Sequence, residues 1–262
     1  MKSPGLNIYQ ALDSPIHHLD PRVKVVLTIL IIVSNVLLPD GAWMALGASW
    51  ALILFTTQLS RVSLKFLLTR SAVVLPFALA AVTTAFSTPG EELFHLPWPR
   101  TPVTEPGIIR FGTIMIRSWI SVQAAILLSA TTEFPDLIHA LRHLRLPEVL
   151  VSVISFMYRY LFVLVEETRR LIRARSSRTA RHPDYQGGIG LIRNLKTGGS
   201  LVGQLFLRSL ERSERIYQAM QSRSYRGNLL TLNPHQMKFK DWLTLFGASL
   251  LILFIQILVQ LG

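Results

Sequence analysis

The chain has 262 residues, carries a net charge of +12 and contains no cysteine. Half of its residues are hydrophobic and its mean hydropathy is +0.39, which is typical of a membrane protein. The lack of cysteine excludes disulfides, thiol catalysis and thiolate metal sites.

The positive charge also raises the possibility of a nucleic-acid-binding protein. Such proteins interleave aromatic stacking residues with their basic stripe. Here the five tryptophans lie in or beside apolar runs, as interfacial anchors do. We therefore expect no nucleic-acid partner, and we expect membrane lipid as the surroundings.

Five apolar runs predict membrane-spanning helices. A spanning helix needs about 20 apolar residues, and the first twenty residues lack the apolar core of a signal peptide. The predicted spans are residues 23–38, 42–59, 66–86, 108–130 and 242–261. Pro76 lies inside the third span and should kink it, and a proline-rich loop, residues 87–106, follows. Arg110 and Arg117 share one face of the fourth span and should pair with Glu105 or another span, or bind phospholipid or a partner subunit.

The basic residues predict the orientation. Arg22 and Lys24 flank the first span, and Arg61, Lys65 and Arg70 separate the second from the third. Basic residues accumulate on the cytoplasmic side, so the N-terminus should be cytoplasmic in a multi-pass protein of the inner (plasma) membrane. We divide the chain into N-terminal membrane helices (1–132), a basic cytoplasmic or interfacial region (133–240) and a last membrane helix (241–262).

Three helices are predicted in the basic region. Residues 134–146 should form an amphipathic helix, with Pro135 in its first turn and Pro147 after its end. Residues 148–178 begin apolar and turn basic, and whether they cross the membrane or lie in its cytoplasmic edge stays open. A glycine-rich loop, residues 187–199, precedes a helix over 201–226 that Gly227 should close. Glu211 and Arg215 are spaced to pair on that helix.

Two short arginine motifs end the second and third of these helices. They are Ala174-Arg175-Ser176 and Ser222-Arg223-Ser224. An arginine at a helix C-terminus complements the helix dipole and still directs its donors outward. Small neighbours would let a partner approach closely. The alternative is ordinary positive charge at a membrane edge, but the repetition of one pattern at two helix ends favours docking.

Three segments resemble the T component of energy-coupling factor (ECF) transporters, the CbiQ/EcfT family. They are residues 19–24 (Leu-Asp-Pro-Arg-Val-Lys), residues 134–147 and, most specifically, residues 206–227. The family's second motif more often ends in glycine, where this chain has Ser224. Serine is small, so we expect docking to be retained.

The resemblance implies an all-α polytopic membrane protein with about five transmembrane helices plus cytoplasmic coupling helices. It further implies that the motif residues dock two ABC-type ATPases, whose closure moves the coupling helices and so drives a substrate-binding membrane subunit of the CbiM-like S-component kind. It implies no enzyme activity and no cofactor in this chain. The substrate expected from the resemblance is cobalt ion, with nickel or a vitamin such as biotin as alternatives.

The other candidate sites are weaker. Residues 190–197 nearly match a phosphate-binding loop, but Leu195 replaces its second glycine, so we expect a flexible connector. Asp136, His139 and His143 could face one way on a helix, and His17, His18 and Asp20 precede the first span; we expect neither group to bind metal. A membrane enzyme or a conventional ABC permease fits less well, because clustered acidic groups and a polar substrate path are not evident.

Overall fold

The chain is overwhelmingly helical in a computed structural model. The structure describes residues 8–89, 92–95, 102–178, 189–225, 227 and 237–261. Its elements are α1 (Pro21–Leu37), α2 (Trp43–Leu59), α3 (Leu64–Ser71), a 3₁₀ turn (Ala72–Val74), α4 (Leu75–Ser87), β1 (Glu92–His95), β2 (Pro102–Thr104), α5 (Glu105–Thr131), α6 (Phe134–His143), α7 (Glu148–Arg178), α8 (Ile189–Ser222) and α9 (Phe239–Leu261). The predicted all-α polytopic class is confirmed.

Several of these helices have the length and apolarity that a membrane span requires. Within the described ranges, three pass on both counts, namely Glu105–Thr131, Glu148–Ser177 and Phe239–Val259. The run from Leu64 to Ser87 passes as a pair of helices bent by 49°, with Pro76 at the start of α4. α1 and α2 have 17 residues each, the short end of the spanning range. α7, whose first half the sequence left ambiguous, meets these criteria of length and composition as a whole helix.

The proline-rich loop contains a short ribbon that the sequence did not predict. β1 and β2 pair antiparallel, with an irregularity between Glu92 and Phe94. The ribbon leads directly into α5, where the Thr104 hydroxyl accepts a hydrogen bond from the backbone N–H of Gly107 at 3.2 Å. Threonine is a favoured N-cap residue, so α5 begins with its first turn satisfied.

The chain divides into two compact units, Met1–Leu144 with Asn233–Gly262, and Arg145–Leu232. In the first unit, α5 packs against α1, α2, α3 and α4, and α9 packs against α1 and α2. Its core is apolar and draws on most of these helices, through Leu38, Ala45, Leu46, Ile53, Leu67, Ile120 and Ala124. The described residues of the second unit form the helices α7 and α8.

The segment over residues 19–24 forms a polar junction at the start of α1. Asp20 caps the helix, and its backbone N–H donates to the Asp241 carboxylate of α9 at 3.3 Å. The Lys24 ammonium is buried and donates to the carbonyls of His17 and Thr131, each at 3.0 Å. These bonds connect the beginning of α1 to the end of α5 and the beginning of α9.

Two predicted boundaries in the basic region are wrong. The expected glycine-rich connector over 187–199 is helical from Ile189 onward, so the pattern resembling a phosphate-binding loop lies inside α8. At the other end, α8 stops at Ser222, and Gly227 does not close it. Glycine lowers helix propensity by about 1 kcal/mol, an amount that context readily overrides in a helix of 34 residues.

Gly107 is required by close packing between α4 and α5. A Cβ at this position would lie 2.6 Å from the Ala85 carbonyl oxygen and 2.7 Å from the Thr104 hydroxyl. We expect Gly107→Ala to lower the free energy of unfolding by about 1–3 kcal/mol, since backbone cannot move aside cheaply. Thermal unfolding in detergent measures the effect, with Gly47→Ala as the control because a Cβ there meets nothing within 4 Å. Equal melting temperatures for the two variants would contradict the packing argument.

Candidate functional site

The two arginine motifs lie on α7 and α8, which run antiparallel. The Glu167 carboxylate accepts a hydrogen bond from the Arg208 guanidinium at 2.7 Å. Earlier on α7, Phe156 meets Tyr225, which follows α8, edge to face at 6.3 Å between ring centroids. Because an earlier residue of α7 contacts a later residue of the α8 segment, the two helices point in opposite directions.

The first motif occupies the last turns of α7. The Ser176 hydroxyl donates to the Arg173 carbonyl at 2.8 Å, and the Ser177 hydroxyl reaches the carbonyls of Arg173 and Ala174 at 3.2 and 3.1 Å. These bonds occupy carbonyls near the helix end. Ala174 and Ser176 are exposed, whereas Arg175 is half-buried and interacts with another group of the chain.

The second motif forms the C-terminus of α8. The backbone N–H of Tyr225 donates to the Met220 carbonyl at 3.0 Å, and that of Ser224 donates to the Gln221 carbonyl at 3.0 Å. This pair of bonds is the Schellman motif, in which the residue after the cap adopts the left-handed conformation. That residue is Ser224, with φ of +59°. Arg223 is thus the C-cap residue, and its side chain is exposed.

Ser224 occupies a conformation that glycine adopts most easily. The family motif more often has glycine at this position, and the structure supplies the physical reason. A left-handed residue with a Cβ costs roughly 1–2 kcal/mol, and serine accepts that cost here. Ser224 therefore adopts the left-handed backbone conformation that glycine would adopt most easily.

The segment after the second motif folds back onto α7. The Ser152 hydroxyl donates to the Gly227 carbonyl at 3.1 Å, one turn before the Phe156–Tyr225 contact. Both contacts involve the first turns of α7. They hold the chain on the far side of Ser224, so the left-handed turn is fixed from both ends.

The two motifs lie at opposite ends of the helix pair. Arg223 is two residues from Tyr225, whose ring is level with Phe156 of α7. Arg175 lies 19 residues beyond Phe156 on the same helix. At about 1.5 Å per residue, the motifs are separated by about 28 Å along α7. One small protein surface patch would not reach both.

Arg110 and Arg117 pair with the turn between α1 and α2. The Arg117 guanidinium donates to the Leu38 carbonyl at 2.7 Å and lies 3.6 Å from the Asp40 carboxylate. Arg110 lies 3.8 Å from the same carboxylate. Both arginines therefore fix the turn that follows α1. The sequence analysis did not predict Asp40 as their partner.

The structure does not assemble the α6 histidines into a ligand set. The His143 ring donates from Nδ1 to the His139 carbonyl at 3.0 Å and accepts at Nε2 from Arg22 at 2.8 Å. The two imidazoles meet edge to face at 4.6 Å. Across the described ranges, no group of three or more His, Asp and Glu residues is close enough to hold a metal ion.

The histidines before α1 have local structural partners. The His17 ring hydrogen-bonds the Ser14 hydroxyl at 2.7 Å and the Gln10 carbonyl at 3.0 Å. Burial lowers the pKa of His17. His18 contacts Asp13 at 2.6 Å on the surface. These contacts fix the segment that leads into α1.

Sequence reasoning missed the residues that position the motifs. Three contacts form only because α7 and α8 fold together, namely Ser152 with Gly227, Phe156 with Tyr225 and Glu167 with Arg208. A signal was available for Tyr225 alone, since it directly follows the second motif. By contrast, the predicted pair of Glu211 and Arg215 is present at 3.6 Å.

Comparison with known proteins supports one family over most of the chain. The model of the CbiQ family, described as cobalt transport protein, matches residues 13–235. The chain belongs to the CbiQ family. The energy-coupling factor transporter transmembrane protein EcfT of Thermanaerovibrio acidaminovorans is 31% identical to this chain. The matched region covers 92% of this chain and 90% of that protein. The EcfT of Heliobacterium modesticaldum is 29% identical over 95% of both chains. An uncharacterized protein of Methanocaldococcus jannaschii is 28% identical, covering 89% and 79%.

Membership confirms the resemblance to ECF T components. The CbiQ family is a family of transporter membrane components and not of enzymes. Together with the long apolar helices, membership places the chain in a membrane.

The left-handed conformation of Ser224 predicts how substitutions at the end of α8 change stability. We expect Ser224→Gly to raise the free energy of unfolding by about 1 kcal/mol, because glycine adopts positive φ without a Cβ clash. Ser224→Val should lower it, since β-branched residues are poorly tolerated there. Ser222→Gly is the matched control and should be destabilising by up to about 1 kcal/mol, because Ser222 is helical. Thermal unfolding of the full chain in detergent ranks the variants, and a destabilising Ser224→Gly would contradict the assignment.

Proposed function

We propose that this chain couples ATP hydrolysis by two ABC-type ATPases to uptake of a micronutrient by a partner membrane subunit. As a CbiQ family member it is a transmembrane component of an ECF-type transporter. The observation that carries the proposal is the placement of two small-Arg-Ser motifs at opposite ends of one antiparallel helix pair. Two docking points about 28 Å apart along α7 suit two separate subunits.

The proposed docking residues are Ala174, Arg175 and Ser176 on α7, and Ser222, Arg223 and Ser224 at the end of α8. Each arginine carries a planar fork of five donors, which suits carboxylates or the exposed carbonyls of a partner's helix. The small neighbours are exposed on both helix ends. A partner groove could therefore close around each guanidinium.

The packing of α7 on α8 provides a physical route for coupling between the two docking points. When the two ATPases close on ATP, the two docking points are drawn toward each other. The Glu167–Arg208 pair and the Phe156–Tyr225 contact join the helices between these points. Motion of either end is then transmitted through packed side chains to the other helix. We place residues 133–240 and the N-terminus on the cytoplasmic side, where ATP is available.

We propose cobalt ion as the substrate, delivered by a CbiM-like S component. The description of the matching family as cobalt transport protein supports this assignment. Nickel and vitamins such as biotin are the alternatives. We expect the specific substrate site to lie in the S component rather than in this chain.

Removing both arginines should separate the chain from its ATPases. We expect Arg175→Ala with Arg223→Ala to abolish ATPase co-purification and uptake, and each single change to weaken both about tenfold or more, since a charge-assisted contact is worth about 1.5–3 kcal/mol. Co-purification from membranes and uptake in proteoliposomes give the two readings.

Two exposed cations on the same helices serve as controls for that experiment. Arg173→Ala lies in the last turns of α7, and Lys196→Ala lies on α8 away from the second motif. Both should leave ATPase retention unchanged. Full retention by the double arginine variant, or equal loss in the controls, would refute docking by these two residues.

The substrate assignment is tested in the assembled transporter. We expect proteoliposomes containing this chain, its ATPases and its S component to take up Co²⁺ in an ATP-dependent manner. Ni²⁺ and biotin are measured in parallel with the same vesicles. If Ni²⁺ or biotin is taken up faster than Co²⁺, that compound and not cobalt is the substrate. The proposed coupling role of this chain would be unaffected.

A further inference from the structure

An apolar cavity lies within the first compact unit. It has a volume of about 370 Å³, which is in the range of pockets that hold small molecules. The helices α1, α2, α5 and α9 line it, together with Ile16 and Leu19 from the segment before α1. Phe55 of α2 and Leu251 of α9 belong to the lining and are themselves exposed. The cavity is therefore open to the surroundings of the unit beside these two side chains.

The cavity occupies one end of these four helices. Its lining residues lie between positions 24 and 31 of α1, where that helix begins, and between 124 and 131 of α5, where that helix ends. On α2 and α9 they lie between 52 and 59 and between 244 and 252. Each stretch is about 10–12 Å long, so the cavity fits within the depth of one leaflet, which is half of a hydrocarbon core about 30 Å thick. The orientation in the proposed function makes this the cytoplasmic leaflet.

The cavity offers a ligand few polar groups. Among the lining residues that the structure describes, the polar side chains are Lys24, Thr28, Thr56, Thr131 and Thr244. Each threonine hydroxyl donates to a backbone carbonyl of its own helix. The hydroxyl hydrogens are thus already used, and the Lys24 ammonium is the remaining donor of these five side chains.

The Lys24 ammonium lies at the end of the cavity that is nearest to the membrane surface. It donates to the carbonyl of His17, which precedes α1, and to that of Thr131, the last residue of α5. An ammonium has three N–H donors, so within the described residues these two bonds leave one donor for a ligand. Lys24 is only 8% exposed, and a buried donor without a partner is costly.

Nearby carboxylates already compensate the charge of Lys24. Asp20, Asp136 and Asp241 all interact favourably with the ammonium. The ammonium therefore exerts little attraction on a further anion. A neutral hydrogen-bond acceptor, such as an ester carbonyl, suits the remaining donor because it accepts the bond without adding charge.

We propose that this cavity binds one acyl chain of a phospholipid and that Lys24 donates its third N–H to the ester carbonyl of that chain. The chain enters beside Phe55 and Leu251. Apolar cavities stay dry and accept hydrocarbon, and the surrounding bilayer supplies acyl chains. The six proposed ATPase-docking residues all lie in the other compact unit, so the two proposals can fail independently.

Gly247 on α9 allows the cavity to be filled without disturbing its walls. Thr244 and Leu251, three residues before it and four residues after it on the same helix face, also line the cavity. A Cβ at Gly247 would meet nothing within 4 Å. The same is true of Gly47 in α2, which lies outside the lining. Gly247→Leu should therefore occupy the cavity, and Gly47→Leu is the matched control, since both changes give a helix the same gain in propensity.

The test uses the full chain purified in detergent and freed of lipid. Native mass spectrometry counts the phosphatidylcholine molecules that stay bound after lipid is added back. We expect one molecule to be retained, at least about fivefold more strongly than the dialkyl ether analogue with the same chain lengths, because the analogue lacks the carbonyl that Lys24 binds. Gly247→Leu should abolish this retention, whereas Gly47→Leu should leave it unchanged.

A second measurement does not depend on any variant and decides the case in which Gly247→Leu fails to fold. Phosphatidylcholine with a photoreactive group in its acyl chain is incorporated into proteoliposomes of the unaltered chain. Ile53 and Ile252 line the cavity and are buried, so lipids on the outer faces of the helices do not reach them. We expect cross-links at these two residues.

Four results would overturn the proposal. The first is unchanged lipid retention in Gly247→Leu; if that variant also releases the S component from the assembled transporter, the cavity is a protein interface. The second is equal retention of the ether analogue, which would remove Lys24 from the site. The third is displacement of the phospholipid by an equal concentration of free fatty acid, which would assign the cavity to fatty acids. The fourth is a lack of cross-links at Ile53 and Ile252.

Discussion

Hydrocarbon offers no hydrogen-bond partner to a peptide group, and this constraint organises the whole molecule. Apolar segments satisfy it within α-helices, and the unsatisfied groups collect at helix ends. The structure meets that demand with side chains: Lys24 donates to the carbonyl of Thr131 at the end of α5, and Arg117 donates to that of Leu38 at the end of α1. Lys24 and Arg117 thus place their charged groups where α5 and α1 end.

The two motif arginines also lie at helix ends, where we propose that they serve docking. Ser176 and Ser177 occupy carbonyls near the end of α7, and the turn at Ser224 occupies those at the end of α8. The guanidinium of Arg223 is consequently not needed to cap its own helix. Because α7 and α8 are antiparallel, the two motifs are separated by most of a helix length. A single helix pair then presents two separate exposed motifs, and the proposed function assigns one ATPase to each.

Local patterns in the sequence predicted the features that depend on near neighbours. The apolar runs, the bend near Pro76 and the pairing of Glu211 with Arg215 all follow from residues within a few positions of each other. The pairing of Glu167 with Arg208 does not, because it spans 41 residues and depends on the register of two helices. The helical start of α8 was also missed, since glycine disfavours a helix locally while packing overrides it. At Ser224 the family pattern indicated a glycine-like backbone, and only the structure could establish that serine adopts it.

The most direct measurement of the central claim is cross-linking from the two motifs. Since the chain has no cysteine, single cysteines at Ser176 and Ser222 can each carry a photoreactive maleimide without background labelling. In the assembled transporter, each labelled site should attach to an ATPase subunit, and the doubly labelled chain should yield a product containing one chain and two ATPases. A cysteine replacing Ser213, which is exposed on α8 ten residues before Arg223, should attach to neither ATPase. Attachment of both motifs to the same ATPase copy, or of either motif to no ATPase, would contradict the account.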